Sequence, residues 1–305
     1  MNLRKLLFMI NNLKEVIKEK NMPRLPEYLK RPIINTEDTK VVRKILKEKC
    51  LNTVCEGARC PNKSECYAKN TATFLIMGNV CTRNCRYCNI STSKPLPLDL
   101  DEPRNIAEAV KELGLKYAVI TSVTRDDLPD GGAEHFKNCI EEIRKISDAK
   151  VEILTPDFRQ GKSCLDTIIK AHPDVFNHNI ETVKNLFKVA RPQGNYDLSI
   201  DVLKYIKTNS DIVTKSGLMV GLGEGMNDIE ETLIDLKEAN VDIITIGQYI
   251  QPSKAHLEVC KYYTLEEFEE LKKLARKIGI KNYQIAPLVR SSYQAMQSWK
   301  EAKYK

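Results

Sequence analysis

The chain has 305 residues, 42% hydrophobic and 29% charged, which is ample to bury a core and excludes the low-complexity and disordered classes. Its formal charge of +7 is spread along the chain with no block of like charges, so nucleic-acid binding is not expected, while a mildly basic face suits an acidic protein partner. No apolar run approaches membrane-spanning length.

The start, MNLRKLLFMINNLKEVIKEK, has an apolar stretch too short for a signal-peptide core and no small-residue cleavage site after it. Leu3, Leu6, Leu7, Ile10, Leu13 and Ile17 recur at helical spacing, which predicts an amphipathic helix in an N-terminal extension, residues 1–21. Residues 22–71 form the next segment: a proline-bearing strap up to residue 40, a short helix over 41–49, then a cysteine-rich stretch from Cys50 to Cys66. Ten cysteines without a secretory signal point to a reducing cytoplasm, where clustered thiols mean metal or catalysis more often than disulfides.

From residue 72 short β-branched runs alternate with amphipathic stretches. The strands are predicted at ATFLIMG (72), YAVITSV (117), VEILTP (151), VFNHNI (175), TKSGLMVGL (214) and DIITIGQY (242). Helical patterns lie between them, beginning at residues 103, 132, 182, 198 and 227. A last helix from 264 opens with Thr264 and Glu267 as a capping box and closes at Gly279. Six βα units over residues 72–280 predict a partial (β/α)6 TIM-like barrel, with a doubly wound open sheet as the alternative. Every strand ends in a polar cluster, which suits one barrel rim better than one switch point. Residues 281–305 are read as a C-terminal segment closing over the site.

Two motifs lead nowhere. GLGEG at 221 lacks the full dinucleotide-loop spacing and follows a late strand. FRQGKSC at 158 contains G-K-S, but Pro156 stands where a phosphate loop needs its first glycine.

The cysteines carry the chemistry. Cys55, Cys60 and Cys66 form C-x4-C-x5-C, and Cys81, Cys85 and Cys88 form C-x3-C-x2-C after the first strand. Cys139 and Cys164 fall in helical patterns and read as buried small hydrophobes, and Cys50 reads as core or as a further ligand. Structural zinc takes four closed ligands, often from C-x2-C pairs that neither triplet offers; one or two shared zinc sites remain the alternative. Three thiolates on a four-iron cluster leave one iron open. An open iron can chelate the amino and carboxylate groups of S-adenosylmethionine, and one electron then splits a C–S bond to give a 5′-deoxyadenosyl radical. Tyr87, just before Cys88, is placed to pack on the adenine.

C-x3-C-x2-C after a first strand resembles the radical S-adenosylmethionine superfamily. VCEGARCPNKSEC, TATFLIMGNVCTRNCRYCNI, ITSVTRDDLPDGGAEHF, FNHNIETV, TKSGLMVGLGE, ITIGQYIQPS and PLVRSSYQA together resemble the lipoyl synthase family, from about Leu25 to about Ala295. The resemblance implies radical insertion of two sulfur atoms at carbons 6 and 8 of an octanoyl chain amide-linked to a carrier protein. It implies S-adenosylmethionine and two 4Fe-4S clusters: a radical cluster on Cys81, Cys85 and Cys88, and an auxiliary cluster that gives up its sulfur. The auxiliary ligands would be Cys55, Cys60, Cys66 and the second serine of RSSY, Ser292, with Ser291 the fallback. A hard serine oxygen suits a cluster iron less well than thiolate, so that iron would leave more easily.

The partners implied are octanoylated lipoyl carrier domains (2-oxoacid dehydrogenase E2 subunits and the glycine cleavage H protein), an electron donor such as ferredoxin or flavodoxin, and an iron–sulfur carrier protein. Rim candidates for S-adenosylmethionine are Tyr87, Asn179, Glu181, Glu224 and Gln248, and for substrate Arg125 and Asp126. The family often carries a second acidic residue where this chain has Gly57, and residues 1–21 match no family pattern. A biotin-synthase-like sulfur-inserting enzyme and a zinc-stabilised binding protein are the other readings; the paired triplets with RSSY speak against the first.

Overall fold

The computed structural model describes residues 24–32, 37–69 and 71–304. The helix expected within residues 1–21 lies outside them. Residues 31–305 form one compact unit. Of residues 1–30 the described part is 24–30, with a 3-10 turn at Glu27–Leu29.

The main unit begins with helix α1 (Glu37–Glu48), strand β1 (Asn52–Thr53) and two short helices, α2 (Val54–Gly57) and α3 (Lys63–Ala68). Strand β2 (Thr73–Ile76) follows, then a loop closed by two-residue strands β3 (Val80–Cys81) and β4 (Ser91–Thr92). The repeating part is α4 (Glu102–Glu112), β5 (Tyr117–Ser122), α5 (Ala133–Ile146), β6 (Lys150–Leu154), α6 (Lys162–Ala171) and β7 (Val175–Asn177). It continues with α7 (Phe187–Ala190), α8 (Tyr196–Asn209), β8 (Val213–Val220), α9 (Met226–Glu238) and β9 (Ile243–Gln248). The chain ends with α10 (Leu265–Ile278), β10 (Asn282–Ile285) and α11 (Ala295–Tyr304).

The main sheet runs β1-β2-β5-β6-β7-β8-β9-β10, parallel throughout except for antiparallel β1. Spatial order follows chain order with no reversal. A doubly wound sheet would reverse at a switch point, so this is the partial barrel, open between β1 and β10. Residues Val151 and Ile153 of β6 face the helix layer and belong to the large apolar core with Ile140 and Leu165. Their neighbour Glu152 joins Lys215, Tyr117 and Asn177 in a buried polar network instead.

Several expectations need correction. Helix α6 and strand β10 were not predicted. The helix expected over 182–190 is a 3-10 turn (Lys184–Leu186) followed by the four-residue α7, because Pro192 forces Arg191 out of helical geometry (φ −127°, ψ 74°). The helix expected at 41–49 starts earlier, at Glu37. Cys50 is exposed at φ 52° in the turn after α1, so it is not core. Cys139 and Cys164 are buried at 0% and 3% exposure, as their patterns required. The capping box forms as read: Glu267 N donates to Thr264 Oγ1 (3.2 Å), Thr264 N donates to Glu267 Oε2 (2.9 Å), and Gly279 takes φ 86°.

The C-terminal segment divides its work. RSSY reaches the rim, but α11 closes the opposite mouth of the barrel. Ala295 and Trp299 pack on Tyr117, Val175, Val213 and Ile243, which are the first residues of their strands. Among the described residues no helix is long and apolar enough to cross a membrane.

Candidate active site

The C-x3-C-x2-C loop leaves β2 through a turn with two left-handed residues, Met77 (φ 65°) and Gly78 (φ 93°). A methionine there is strained, and its neighbours hold it. Its N–H donates to Glu102 Oε2 (2.8 Å), which His135 Nε2 also meets (2.7 Å), and its carbonyl accepts from Arg125 Nη1 (3.3 Å). Cys81 Sγ then accepts from the amides of Arg83 (3.4 Å) and Thr124 (3.3 Å), and Cys88 Sγ from Ile90 N (3.5 Å). Amide donors aimed at sulfur favour thiolate and the negative charge of a cluster.

Arg83, between the first two cysteines, is buried and forks onto two carboxylates: Asp126 (2.7 and 2.8 Å) and Asp157 (2.8 and 2.7 Å). Burial works against the Asp157 charge, yet the bonds and charge of Arg83 hold its pKa below the usual range. On the far side His256 Nε2 donates to the Cys88 carbonyl (2.9 Å) and Leu257 N to the Arg86 carbonyl (2.9 Å). The loop is thus fixed from β5, β6 and the segment after β9.

Tyr87 lies beside the Cys85 thiol and shares its surroundings with Glu181 and Arg191. Burial raises the pKa of Glu181, which takes φ 71° while bridging to Leu218 of β8. Arg191 was not singled out from sequence. It is buried, its Nη1 donates to the Asn179 carbonyl (3.2 Å), and its Nε has no partner among the described residues. Burial opposes its charge, but Tyr87, Glu181 and Cys85 hold its pKa up. Tyr87, Asn179, Glu181 and Arg191 therefore gather beside Cys85.

The other rim candidates are tied into the framework instead of standing free for a ligand. Glu224 takes the Gly221 and Leu222 amides of its own loop (2.5 and 2.9 Å). Gln248 is fully buried; its Nε2 donates to the carbonyls of Val220, Tyr249 and Lys261, and its Oε1 accepts from Tyr263 N. Asp126 is held by Arg83 and Arg159, and Arg125 by Asp127 and Met77. Each of these side chains is held by the backbone or charge of the surrounding loops.

The first triplet lies on α2, the turn after it and α3. Cys60 N donates to the Cys55 carbonyl (3.1 Å) and Cys66 N to the Asn62 carbonyl (2.9 Å), which curls three thiols around one pocket. Cys55, Cys60, Cys66, Asn62, Arg290 and Ser292 line it. The RSSY segment, more than two hundred residues later, is stitched on by Asn62 Nδ2 to the Leu288 carbonyl (2.7 Å) and Tyr293 Oη to Glu65 Oε1 (3.1 Å). Ser291 faces elsewhere: its Oγ donates to Asn179 Oδ1 (2.8 Å) on the rim. The two serines therefore divide between the two centres. The centres also touch directly, since Asn89 Nδ2 donates to the Gly57 carbonyl (2.8 Å). A Cβ at Gly57 would stand 2.6 Å from Ile90 Cδ1.

These residues fit clusters. Three thiols line the first pocket together with the hydroxyls of Thr71, Thr73, Ser292 and Tyr293, so a fourth ligand for a closed cubane is at hand, while the second triplet offers three thiols, with Glu181 and Arg191 near Cys85. Burial pushes the Cys55 thiol up to about 11 and the Cys66 and Cys88 thiols to about 12, so iron must displace protons as it binds. All ten cysteines are free of disulfides.

The model of the radical SAM superfamily matches residues 75–236. A lipoyl synthase of Caldanaerobacter subterraneus subsp. tengcongensis is 49% identical over 273 residues, 89% of this chain and 96% of that protein. Lipoyl synthase 2 of Gloeobacter violaceus is 51% identical over 274 residues, 89% of this chain and 95% of that one. Among solved structures, methylornithine synthase aligns with a TM-score of 0.56 at 13% identity, covering 87% of this chain and 80% of that one. The maturase of the [FeFe]-hydrogenase gives 0.55 at 16%, covering 90% and 71%. Identities this low bear on the fold alone.

Proposed function

The chain belongs to the lipoyl synthase family of radical S-adenosylmethionine enzymes, and on that premise we propose how its residues share the reaction. The reaction inserts two sulfur atoms, at carbons 6 and 8 of an octanoyl group bound to a carrier protein. It uses S-adenosylmethionine and a 4Fe-4S cluster.

In this reading Cys81, Cys85 and Cys88 hold the radical cluster, and Cys55, Cys60, Cys66 and Ser292 hold an auxiliary one. When bound, the first supplies the electron that splits S-adenosylmethionine, and the second supplies the sulfur. The observation that carries it is the single pocket shared by the three cysteines and Ser292. Arg83, pinned by Asp126 and Asp157, keeps the radical loop rigid. Tyr87, Asn179, Glu181 and Arg191 would hold S-adenosylmethionine, the guanidinium offering a partner for its carboxylate and the acidic and amide groups partners for its amine and hydroxyls. Packing of the two segments at Gly57 and Asn89 holds the sulfur source close to where hydrogen is removed. The electron comes from a small reductant such as ferredoxin or flavodoxin, and an iron–sulfur carrier rebuilds the auxiliary cluster. A reducing cytoplasm suits ten unpaired thiols.

The test is an anaerobic assay with an octanoylated carrier peptide. Expected are about eight irons per chain, two four-iron clusters, and a product heavier by two sulfurs. Changing Cys55, Cys60 and Cys66 together to Ala should leave S-adenosylmethionine cleavage and end sulfur insertion. Ser292→Cys should keep the auxiliary cluster but block product; normal lipoylation by that variant sinks the ligand assignment.

A further inference from the structure

Arg290 opens the RSSY motif and lines the same pocket as Cys55, Cys60, Cys66 and Ser292. A cation taken out of water needs a counter-charge. Burial pulls its pKa down, no Asp or Glu among the described residues offsets this, and the ionisable neighbour that favours its charge is Cys60. Its place is fixed by the backbone: Nη1 donates to the Val289 carbonyl (2.7 Å). Gly247 leaves the room for this, because a Cβ there would lie 2.1 Å from the Val289 oxygen and 3.1 Å from Arg290 Nη1. The strand thus gives up a side chain where the RSSY segment crosses it, and Arg290 takes its place in the lining of the cysteine pocket.

We propose that Arg290 is a positioning residue of the auxiliary site: it offsets the negative charge of the cluster held there, and so sets that cluster's reduction potential and its hold on iron. The inference rests on the reading of Cys55, Cys60, Cys66 and Ser292 as cluster ligands. A four-iron core held by three thiolates and an alkoxide is a net anion, and each added electron makes it more negative. A fixed cation beside it favours the reduced form and raises the potential, as do hydrogen bonds to sulfur. A guanidinium combines both effects, since it carries a permanent charge and several N–H donors. The same charge favours the alkoxide of Ser292, the weakest of the four ligands. Loss of Arg290 should therefore weaken the iron that Ser292 holds before it weakens the others.

The experiment uses the full chain with Cys81, Cys85 and Cys88 changed to Ala, so that the auxiliary cluster loads alone. Iron content, the midpoint potential by electron paramagnetic resonance titration, and the rate of iron release to a ferrous chelator are measured for this parent, for R290Q and for R290K. The iron-free melting temperature of each serves as the folding control. The expected result is about four irons in the parent. R290Q should show a potential shifted to more negative values, or outright loss of iron, with several-fold faster release at a parent-like melting temperature. R290K, which keeps the charge, should recover most of both. An R290Q protein equal to the parent overturns the inference, as does an R290K protein no better than R290Q. A parent that takes up no cluster overturns the ligand assignment itself, and the inference with it.

Discussion

His178 shows how the fold sets the state of a single residue. It stands in NHNIET just before the two rim candidates Asn179 and Glu181, 1% exposed, with Nδ1 donating to the Thr155 carbonyl (2.9 Å) and Nε2 buried without a partner among the described residues. Burial, and then the charge of Arg191, lower its pKa from 6.5 to about 4. Between those values the unfolded chain binds a proton that the folded chain does not, so stability rises with pH across that window. It is fully present above about 6.5 and lost as pH falls towards 4, by roughly 3 kcal/mol in all. Urea unfolding of the iron-free chain at a series of pH values should show this slope, and His178→Gln should flatten it; an unchanged slope in the variant places the proton elsewhere. Ser291 makes a second case at this scale. Since its Oγ meets Asn179 and not the cysteine pocket, Ser291→Ala should keep the iron content and S-adenosylmethionine cleavage but lower product per cleavage, because the RSSY segment loses its tie to the rim. If S291A loses iron from the cysteine pocket, the two serines do not divide the labour this way. Neither histidine nor serine could be assigned from sequence, because their environments are made by residues tens to hundreds of positions away.

Elements tell the opposite story where the pattern is local. The six β-branched runs, the helices with clear periodicity and the Thr264 capping box were legible because each is decided by neighbours within a few residues. Strand β10, NYQI, was not: it is an edge strand of four residues with Ile285 its sole buried member, so it lacks the apolar run that marks an inner strand. Helix α6 begins in a stretch that reads as a failed phosphate loop, with Gly161 at φ 129° as its N-cap. The cysteine triplets were legible from spacing, and Ser292 from motif resemblance, but Arg83, Arg191 and Arg290 were not. Arg83 and Arg191 are buried and Arg290 half-buried, and the meaning of each depends on which carboxylate, carbonyl or thiol the fold sets beside it. The packing of elements also yields a test. Beyond β10 the chain folds back over β9, with Gln248 N donating to the Pro287 carbonyl (3.0 Å) and Gly247 beneath Val289. A backbone oxygen cannot swing aside as a side chain can, so Gly247→Ala should lift the RSSY segment. Iron per chain should fall towards four while S-adenosylmethionine cleavage persists; full iron loading in G247A would mean that the segment finds another path.

The molecule as a whole is a barrel with two unlike mouths, and its C-terminal segment serves both. At the rim it brings Ser292 to the cysteine pocket, and at the other end α11 forms the floor. Trp299 stands 6.2 Å from Tyr117 between ring centroids, with Lys150 over its ring at 5.6 Å. Above this floor Lys215 and Glu152 are buried together at 3.0 Å, with Tyr117 donating to the same carboxylate (2.7 Å). A buried ion pair is sensitive to water, so a floor that seals the strand starts protects it. Trp299→Ala opens a cavity beneath the pair and should cost about 3–5 kcal/mol, read as a lower unfolding midpoint. The rim should not follow, because Asn62–Leu288, Glu65–Tyr293 and Asn179–Ser291 tie the RSSY segment independently of α11. The W299A protein is thus expected to melt early yet, below its midpoint, to hold its full iron and insert two sulfurs. Loss of iron in parallel with the loss of stability would show instead that floor and rim are one cooperative unit, with the helix setting the ligand geometry from the far end of the barrel.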